Sequence, residues 1–303
     1  MENTLEQIPE GGRVLVIRLR SLGDCVLTTP AIRLLKEARP DVEVGVAVED
    51  RFAAVFEDNP DVSTTMGPSV GRAARWRPSL AINLHGGTRS MALTTASGAA
   101  FRAGFAHFRG AALYNVRIPT AQEILGVERT VHTAEHLASA MFYLGVPRRE
   151  IPRARLAAER RVPPQSYAVI HPLASAEDKT WPAERFVETA IHLQTKLNLE
   201  PVFIGAGGED LRPFVRFRTI VGAPLRKVKN LIANASLFLG NDSGPAHMAA
   251  AFGLPVVVVF GASECGIWRP WKTESVVLRS PEGIAAIASA EMLSAIERLG
   301  VTA

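Results

Sequence analysis

The sequence predicts an α/β protein built as two doubly wound domains in series. Two observations carry this. Strand-length apolar runs alternate with amphipathic segments of helix length, and the alternation lapses once before restarting. Repeated β-α-β units imply parallel sheets covered by helices through right-handed crossovers. The lapse, from Pro147 to Gln165, is rich in Pro and Arg and has no sustained period, which marks a linker. The expected domains are therefore 1–160 and 161–303, with the C-terminal helix free to pack back on the first. A chain of 303 residues, 47% apolar, suits two such cores. Ligands of these sheets sit at the carboxyl ends of the strands, so the two domains are expected to face each other across a binding cleft.

In the first half, Val14–Ile17 reads as a buried strand. After the turn Arg20-Ser21-Leu22-Gly23-Asp24, apolar residues recur at helical spacing, with Pro30 early in that helix. A strand over Val42–Val48, a helix over Arg51–Phe56 and a strand over Leu80–Leu84 follow. Next come a helix near Ser90, short strands near Phe101 and Tyr114, and a helix from Thr130 to Leu144 stopped by Gly145 and Pro147. In the second half, strands are expected over Tyr167–Ile170, Pro201–Ile204, Leu237–Leu239 and Pro255–Phe260. Helices are expected over Pro182–Leu197, Val228–Ala233, His247–Phe252 and Ile284–Leu299.

Composition narrows the function. The opening MENTLEQIPEGG lacks a basic n-region and an apolar h-region, and no apolar run approaches the length of a membrane span. Cys25 and Cys265 make no disulfide framework. A cytoplasmic setting is expected. A net charge of +4 and a pI of about 9.3 favour an anionic partner, or simply a solvated basic surface.

Three segments carry chemistry. Asp24 stands at a strand-to-helix turn, where a carboxylate either caps the helix or takes a proton from a substrate hydroxyl. The loop from His171 to Pro182 offers Ser175 and Lys179 as a diphosphate clamp. It is not a P-loop, and the first turn is not a dinucleotide fingerprint. In Leu239-Gly240-Asn241-Asp242-Ser243-Gly244-Pro245-Ala246-His247 a buried strand runs into a helix of small residues. Ser243 or Asp242 can cap that helix, Pro245 suits its first turn, and its opening amides form an anion site with His247 beside it.

Two patterns compete. His132-Thr133-Ala134-Glu135-His136 matches an inverted zinc-peptidase motif, although no third ligand is evident. His85-Gly86-Gly87 with Ser243 suggests a serine hydrolase, but the G-x-S-x-G elbow is missing and His247 stands too close in sequence.

Arg18-Leu19-Arg20-Ser21-Leu22-Gly23-Asp24 through Thr29-Pro30-Ala31 is one of three motifs that together resemble a known family. The others are Lys179-Thr180-Trp181-Pro182-Ala183-Glu184-Arg185-Phe186, and Gly240 to His247 with Phe260-Gly261. In this order they resemble the heptosyltransferase family of inverting glycosyltransferases, glycosyltransferase family nine. The resemblance implies a GT-B fold of two Rossmann-like domains: an N-terminal acceptor domain and a C-terminal nucleotide-sugar domain. It implies no cofactor and no required metal. It implies a nucleotide-diphosphate donor, ADP-heptose foremost, a lipopolysaccharide-core or lipid-linked acceptor, and no nucleic acid. Asp24 then looks like the catalytic base and Lys179 like a diphosphate ligand, with Ser175 beside it. Asp242, Ser243, Gly244 and His247 look like the donor cradle. The chain departs from the family pattern after Gly205, where Gly207-Gly208 stands in place of an acidic ribose ligand and Glu209 is the substitute. Arg18, Arg20, Arg89 and Arg102 are candidate partners for an acidic acceptor, which would bring loose contact with the inner membrane face. Alternatives are a nucleotide-sugar epimerase of the same architecture, a relative using another sugar or acceptor, and a non-catalytic nucleotide-sugar binder.

Overall fold

From Val14 to Ile17 every side chain of the first strand is fully covered, as a strand with neighbours on both edges and helices on both faces must be. The computed structural model describes residues 3–301. It divides into two units, Met1–Ala157 and Ala158–Ala303.

The first unit runs β1 (Arg13–Ile17), α1 (Leu22–Ala38), β2 (Glu43–Ala47), β3 (Thr64–Met66), α2 (Val70–Trp76), β4 (Leu80–Asn83), α3 (Thr88–Ala96), β5 (Phe101–Phe105), β6 (Val116–Ile118), α4 (Ala121–Leu125) and α5 (Thr133–Leu144). Its parallel sheet has the order β3-β2-β1-β4-β5-β6. The second runs β7 (Tyr167–His171), α6 (Ala183–Lys196), β8 (Glu200–Gly205), β9 (Arg218–Val221), α7 (Leu225–Ala233), β10 (Leu237–Asn241), α8 (Gly244–Phe252), β11 (Val256–Phe260), α9 (Cys265–Trp268), β12 (Ser275–Arg279) and α10 (Ser289–Arg298). Its order is β12-β11-β10-β7-β8-β9, again all parallel. The two orders are the same, read from opposite ends. In each, the first and fourth strands of the unit lie side by side, which is where the winding reverses and where such sheets take ligands.

Several expectations are corrected. Pro30 is not early in its helix: α1 starts at Leu22, so the proline lies well inside it. The carbonyl of Val26, which a residue at position 30 with an N–H would serve, accepts instead from Thr29 Oγ1 at 2.8 Å. The Arg51–Phe56 helix is a short 3-10 segment, Asp50–Val55. The last expected helix splits into a 3-10 turn, Ile284–Ala286, followed by α10. That helix packs on α6, β11 and β12 of its own unit. Among the described residues no helix is long and apolar enough to cross a membrane.

The segment expected as a linker has no regular structure between α5 and β7. Arg155 N–H donates to Thr29 Oγ1 at 2.9 Å in the first unit. In the second, Arg161 N–H donates to Asn234 Oδ1 at 2.6 Å, and Arg160 lies over the Phe252 ring at 5.2 Å.

Candidate functional site

In the first unit, the winding reverses between β1 and β4. Past β1 the chain turns through Arg18 to Ser21, and Ser21 is the extended N-cap of α1. Asp24, on the helix's first turn, reaches back. Its Oδ2 accepts from Ser21 N–H at 3.2 Å and from Ser21 Oγ–H at 2.9 Å, while Oδ1 takes an ion pair with Arg18 Nη2. Both the capping and the functional reading of Asp24 therefore stay open: it caps, and it faces a cavity of about 520 Å³ shared with Arg20, Arg51, Phe52 and His85. Arg18 is buried, donates its other Nη to the Leu84 carbonyl, and has its pKa lowered to about 10 by burial. It is thus a buttress for Asp24. Arg20 is exposed at the cavity rim. Arg89 is not brought to the cavity lining. It stands on the exposed first turn of α3, 3.9 Å from Glu49 and donating to the Pro68 carbonyl at 3.4 Å. Arg102 is spent on the Ala99 carbonyl at 2.9 Å.

Arg51 and His85 are cavity residues that the sequence did not single out for this role. Burial, and then the charge of Arg18, push the His85 pKa down, against a hydrogen bond to the Arg20 carbonyl that pushes it up. The imidazole is accordingly neutral near pH 7.

In the second unit the reversal lies between β7 and β10. Asn241 ends β10 and is fully buried. Its Oδ1 accepts from Trp181 N–H at 3.0 Å, and its Nδ2 donates to the Pro172 carbonyl at 2.8 Å. One amide thus ties both ends of the loop carrying Ser175 and Lys179 to the strand beside it. Trp181 is anchored further by Nε1–H to the Ile287 carbonyl at 2.9 Å. Gly261, after β11, is a requirement of that packing: a Cβ there would lie 2.0 Å from the Asp178 carbonyl oxygen.

α8 begins at Ser243, extended at φ −157° and ψ 164°, with Pro245 in the first turn. Ser243 is the N-cap residue, but its hydroxyl makes no cap bond. Oγ lies instead 3.1 Å from Nδ1 of His171, the last residue of β7. Sequence reasoning passed over His171; its place at a buried strand end was the available signal. Burial lowers its pKa to about 4, against the field of Glu209. Asp242 is raised by burial, opposed by a hydrogen bond from Ser263 and by the charge of Lys179. Glu209 Oε2 accepts from Ala206 N–H at 2.6 Å and closes the turn after β8. Asp242, Ser243, Gly244, Lys179 and Glu209 thus gather at the carboxyl ends of β10, β7 and β8. Ser175 is exposed on its loop, and His247 is buried edge-on to Trp268, with ring centroids 6.3 Å apart.

The competing patterns resolve into structure. His132 is the N-cap of α5, its Nδ1 accepting from Ala134 N–H at 3.0 Å. Glu135 pairs with Arg129 at 2.6 Å and accepts from His132 N–H, and His136 stacks on Phe105 at 4.1 Å. Among the described residues no group of three His, Cys, Asp or Glu side chains could hold a metal ion. Ser243 does meet an imidazole, but it is that of His171, not His247.

A family model described as glycosyltransferase family 9 (heptosyltransferase) matches residues 77–294. Lipopolysaccharide heptosyltransferase 3 of Escherichia coli strain K12 is 25% identical, over 86% of this chain and 85% of its own length. Lipopolysaccharide heptosyltransferase 1 of the same strain is 24% identical, over 89% and 94%. Among solved structures, the glycosyl transferase family 9 protein of Veillonella parvula superposes with a TM-score of 0.85 at 21% identity, over 96% of this chain and 98% of that one. E. coli heptosyltransferase WaaC with ADP gives 0.78 at 19%, over 95% and 99%. These likenesses establish the GT-B class of fold, two Rossmann-like units.

Proposed function

The chain belongs to glycosyltransferase family 9, the heptosyltransferase family, and from that premise we propose that it moves a heptose from an ADP-heptose donor to a lipopolysaccharide-core acceptor. Membership of a transferase family displaces the epimerase and simple-binder readings. The relatives named as lipopolysaccharide heptosyltransferases, and solved members holding ADP or ADP-2-deoxy-2-fluoro heptose, support the choice of donor and acceptor.

The observation that carries the reading is the start of α8, where a serine N-cap leaves its helix uncapped beside Lys179. A helix start favours an anion by roughly 0.3–1 kcal/mol when exposed, before direct hydrogen bonds such as one from the Gly244 amide are counted. The second unit accordingly holds the donor. Lys179, Ser243 and the Gly244 amide meet the diphosphate, with Ser175 and Asp242 at its edge and Glu209 toward the ribose. The first unit holds the acceptor, with Arg20 and Arg51 meeting its acidic groups.

The acceptor hydroxyl replaces the Ser21 hydroxyl on Asp24 Oδ2. As its oxygen bonds to the anomeric carbon, the bond from that carbon to the phosphate oxygen breaks. Asp24 takes the proton, ADP leaves from the opposite face, and the anomeric centre inverts. Donors fixed in advance stabilise the growing charge on the leaving phosphate, about 2.7–4 kcal/mol for one well-placed hydrogen bond. No divalent ion is needed in this scheme. The enzyme acts in the cytoplasm, at the inner membrane face where a lipid-linked acceptor resides.

Incubation with ADP-heptose and a lipopolysaccharide-core acceptor tests this. ADP release that requires acceptor and survives EDTA is expected. Failure to consume ADP-heptose with any core acceptor would overturn the donor and acceptor assignment.

A further inference from the structure

We propose that His171 is a positioning residue of the donor site, whose Nδ1–H donates to Ser243 Oγ and so turns the serine hydroxyl proton outward, toward the donor's diphosphate. The inference rests on the donor reading above and names how one of its groups is set. A serine N-cap ordinarily spends its oxygen on the helix's own amides. Ser243 does not: its hydroxyl is drawn across the sheet reversal to His171, 3.1 Å away.

That contact exists because of backbone register. His171 pairs with Gly240 in the parallel ladder, and Gly240 lacks the Cβ that would lie 2.6 Å from the His171 carbonyl oxygen. The end of β7 and the turn after β10 are therefore pressed together, and the ring lies only 9% exposed against the helix start.

A hydroxyl carries one proton. If Ser243 donates inward to Nδ1, it presents only lone pairs outward, and these repel phosphate oxygens. If Nδ1–H donates to Oγ, the O–H is free to donate outward beside the Gly244 amide, the Ala246 amide being taken by the Ser243 carbonyl at 3.1 Å. The second arrangement turns an O–H donor toward the ligand, which is what a diphosphate needs. Burial keeps the ring neutral above about pH 4, so His171 acts by orientation and not as a further cation.

Titration with ADP tests the inference on the intact protein. His171→Leu should weaken ADP roughly tenfold, the scale of one hydrogen bond to a charged group. His171→Asn, whose amide N–H can stand in for Nδ1–H, should stay within about threefold of wild type by the same arithmetic. His171→Leu should add nothing on a Ser243→Ala background, because the imidazole acts through that hydroxyl. Effects that multiply, or an Asn variant as weak as the Leu variant, would overturn the proposal. Lys179→Ala separates the two levels. If it and Ser243→Ala weaken ADP while His171→Leu does not, the donor site stands and the inference falls. If none of the three weakens ADP, the donor reading falls and the inference with it. Nitrogen-15 spectra of labelled histidine in the wild-type protein give a check independent of variant folding. The Nδ1–H tautomer is expected at His171, and the Nε2–H tautomer would overturn the proposal.

Discussion

Each unit starts one helix with a serine N-cap at the reversal of its sheet, Ser21 before α1 and Ser243 before α8, and the two starts treat their polar groups in opposite ways. α1 supplies its own anion: Asp24 sits in the first turn and closes back on Ser21. α8 has no acidic residue in its first turn, and its serine hydroxyl turns to His171 instead of to the helix. The same corner of the same topology thus fixes a carboxylate in one unit and, in the function proposed, receives an anion in the other. Helix-start electrostatics permit both, and the residue three places after the N-cap decides: Asp24 in one unit, Ala246 in the other.

The comparison breaks first at Asp24. Asp24→Asn keeps the shape but removes the proton acceptor, so turnover should fall about 10²–10⁴-fold with ADP affinity unchanged. Turnover at the wild-type rate would show that the closed start is only a cap. Asn241→Leu comes next. It strands Trp181 N–H and the Pro172 carbonyl, and each buried group left unpaired costs about 1–3 kcal/mol. Chemical denaturation should report that loss together with weaker ADP binding; unaltered stability would mean that the loop does not depend on this amide.

Paired serine variants sharpen the contrast. Ser243→Ala should weaken ADP about tenfold, and because it strands the buried His171 Nδ1–H it should also lower stability by about 1–3 kcal/mol. Ser21→Ala should leave ADP affinity intact, since that hydroxyl meets Asp24 and not the donor. Equal effects of both on ADP would erase the distinction.

A separate effect is on acid stability. His136 and His171, one in each unit, have pKa values lowered to about 4 mainly by burial. Between that value and the ordinary histidine value near 6.5, the unfolded chain binds more protons than the native one. Stability therefore rises with pH across this window and is lost as pH falls through it. Melting temperature should drop from pH 7 to pH 4.5, and His136→Gln should flatten part of the slope. A flat wild-type profile would show that these rings are not held neutral.

The alternation of buried strands and helices, and the lapse after Gly145, were legible because central parallel strands such as Val256–Phe260 are apolar throughout. The edge strands were not. Arg218–Val221 is largely exposed and Thr64–Met66 spans three residues, so neither carries a core signature. The candidate site was legible where residue type and strand-end position coincide, at Asp24, Lys179 and Asp242-Ser243. His171 escaped notice because its proposed role depends on pairing with Gly240, a register that one chain does not spell out. His132, Glu135 and His136 offered a competing pattern for the converse reason. Their spacing serves zinc and a capping box equally, and the outcome turns on Arg129 and Phe105, which lie outside the pattern.

A crystal structure with ADP bound bears on the central claim most directly. The diphosphate oxygens should lie about 3 Å from Ser243 Oγ, the Gly244 amide and Lys179 Nζ. A diphosphate seated elsewhere, with the start of α8 untouched, would contradict it.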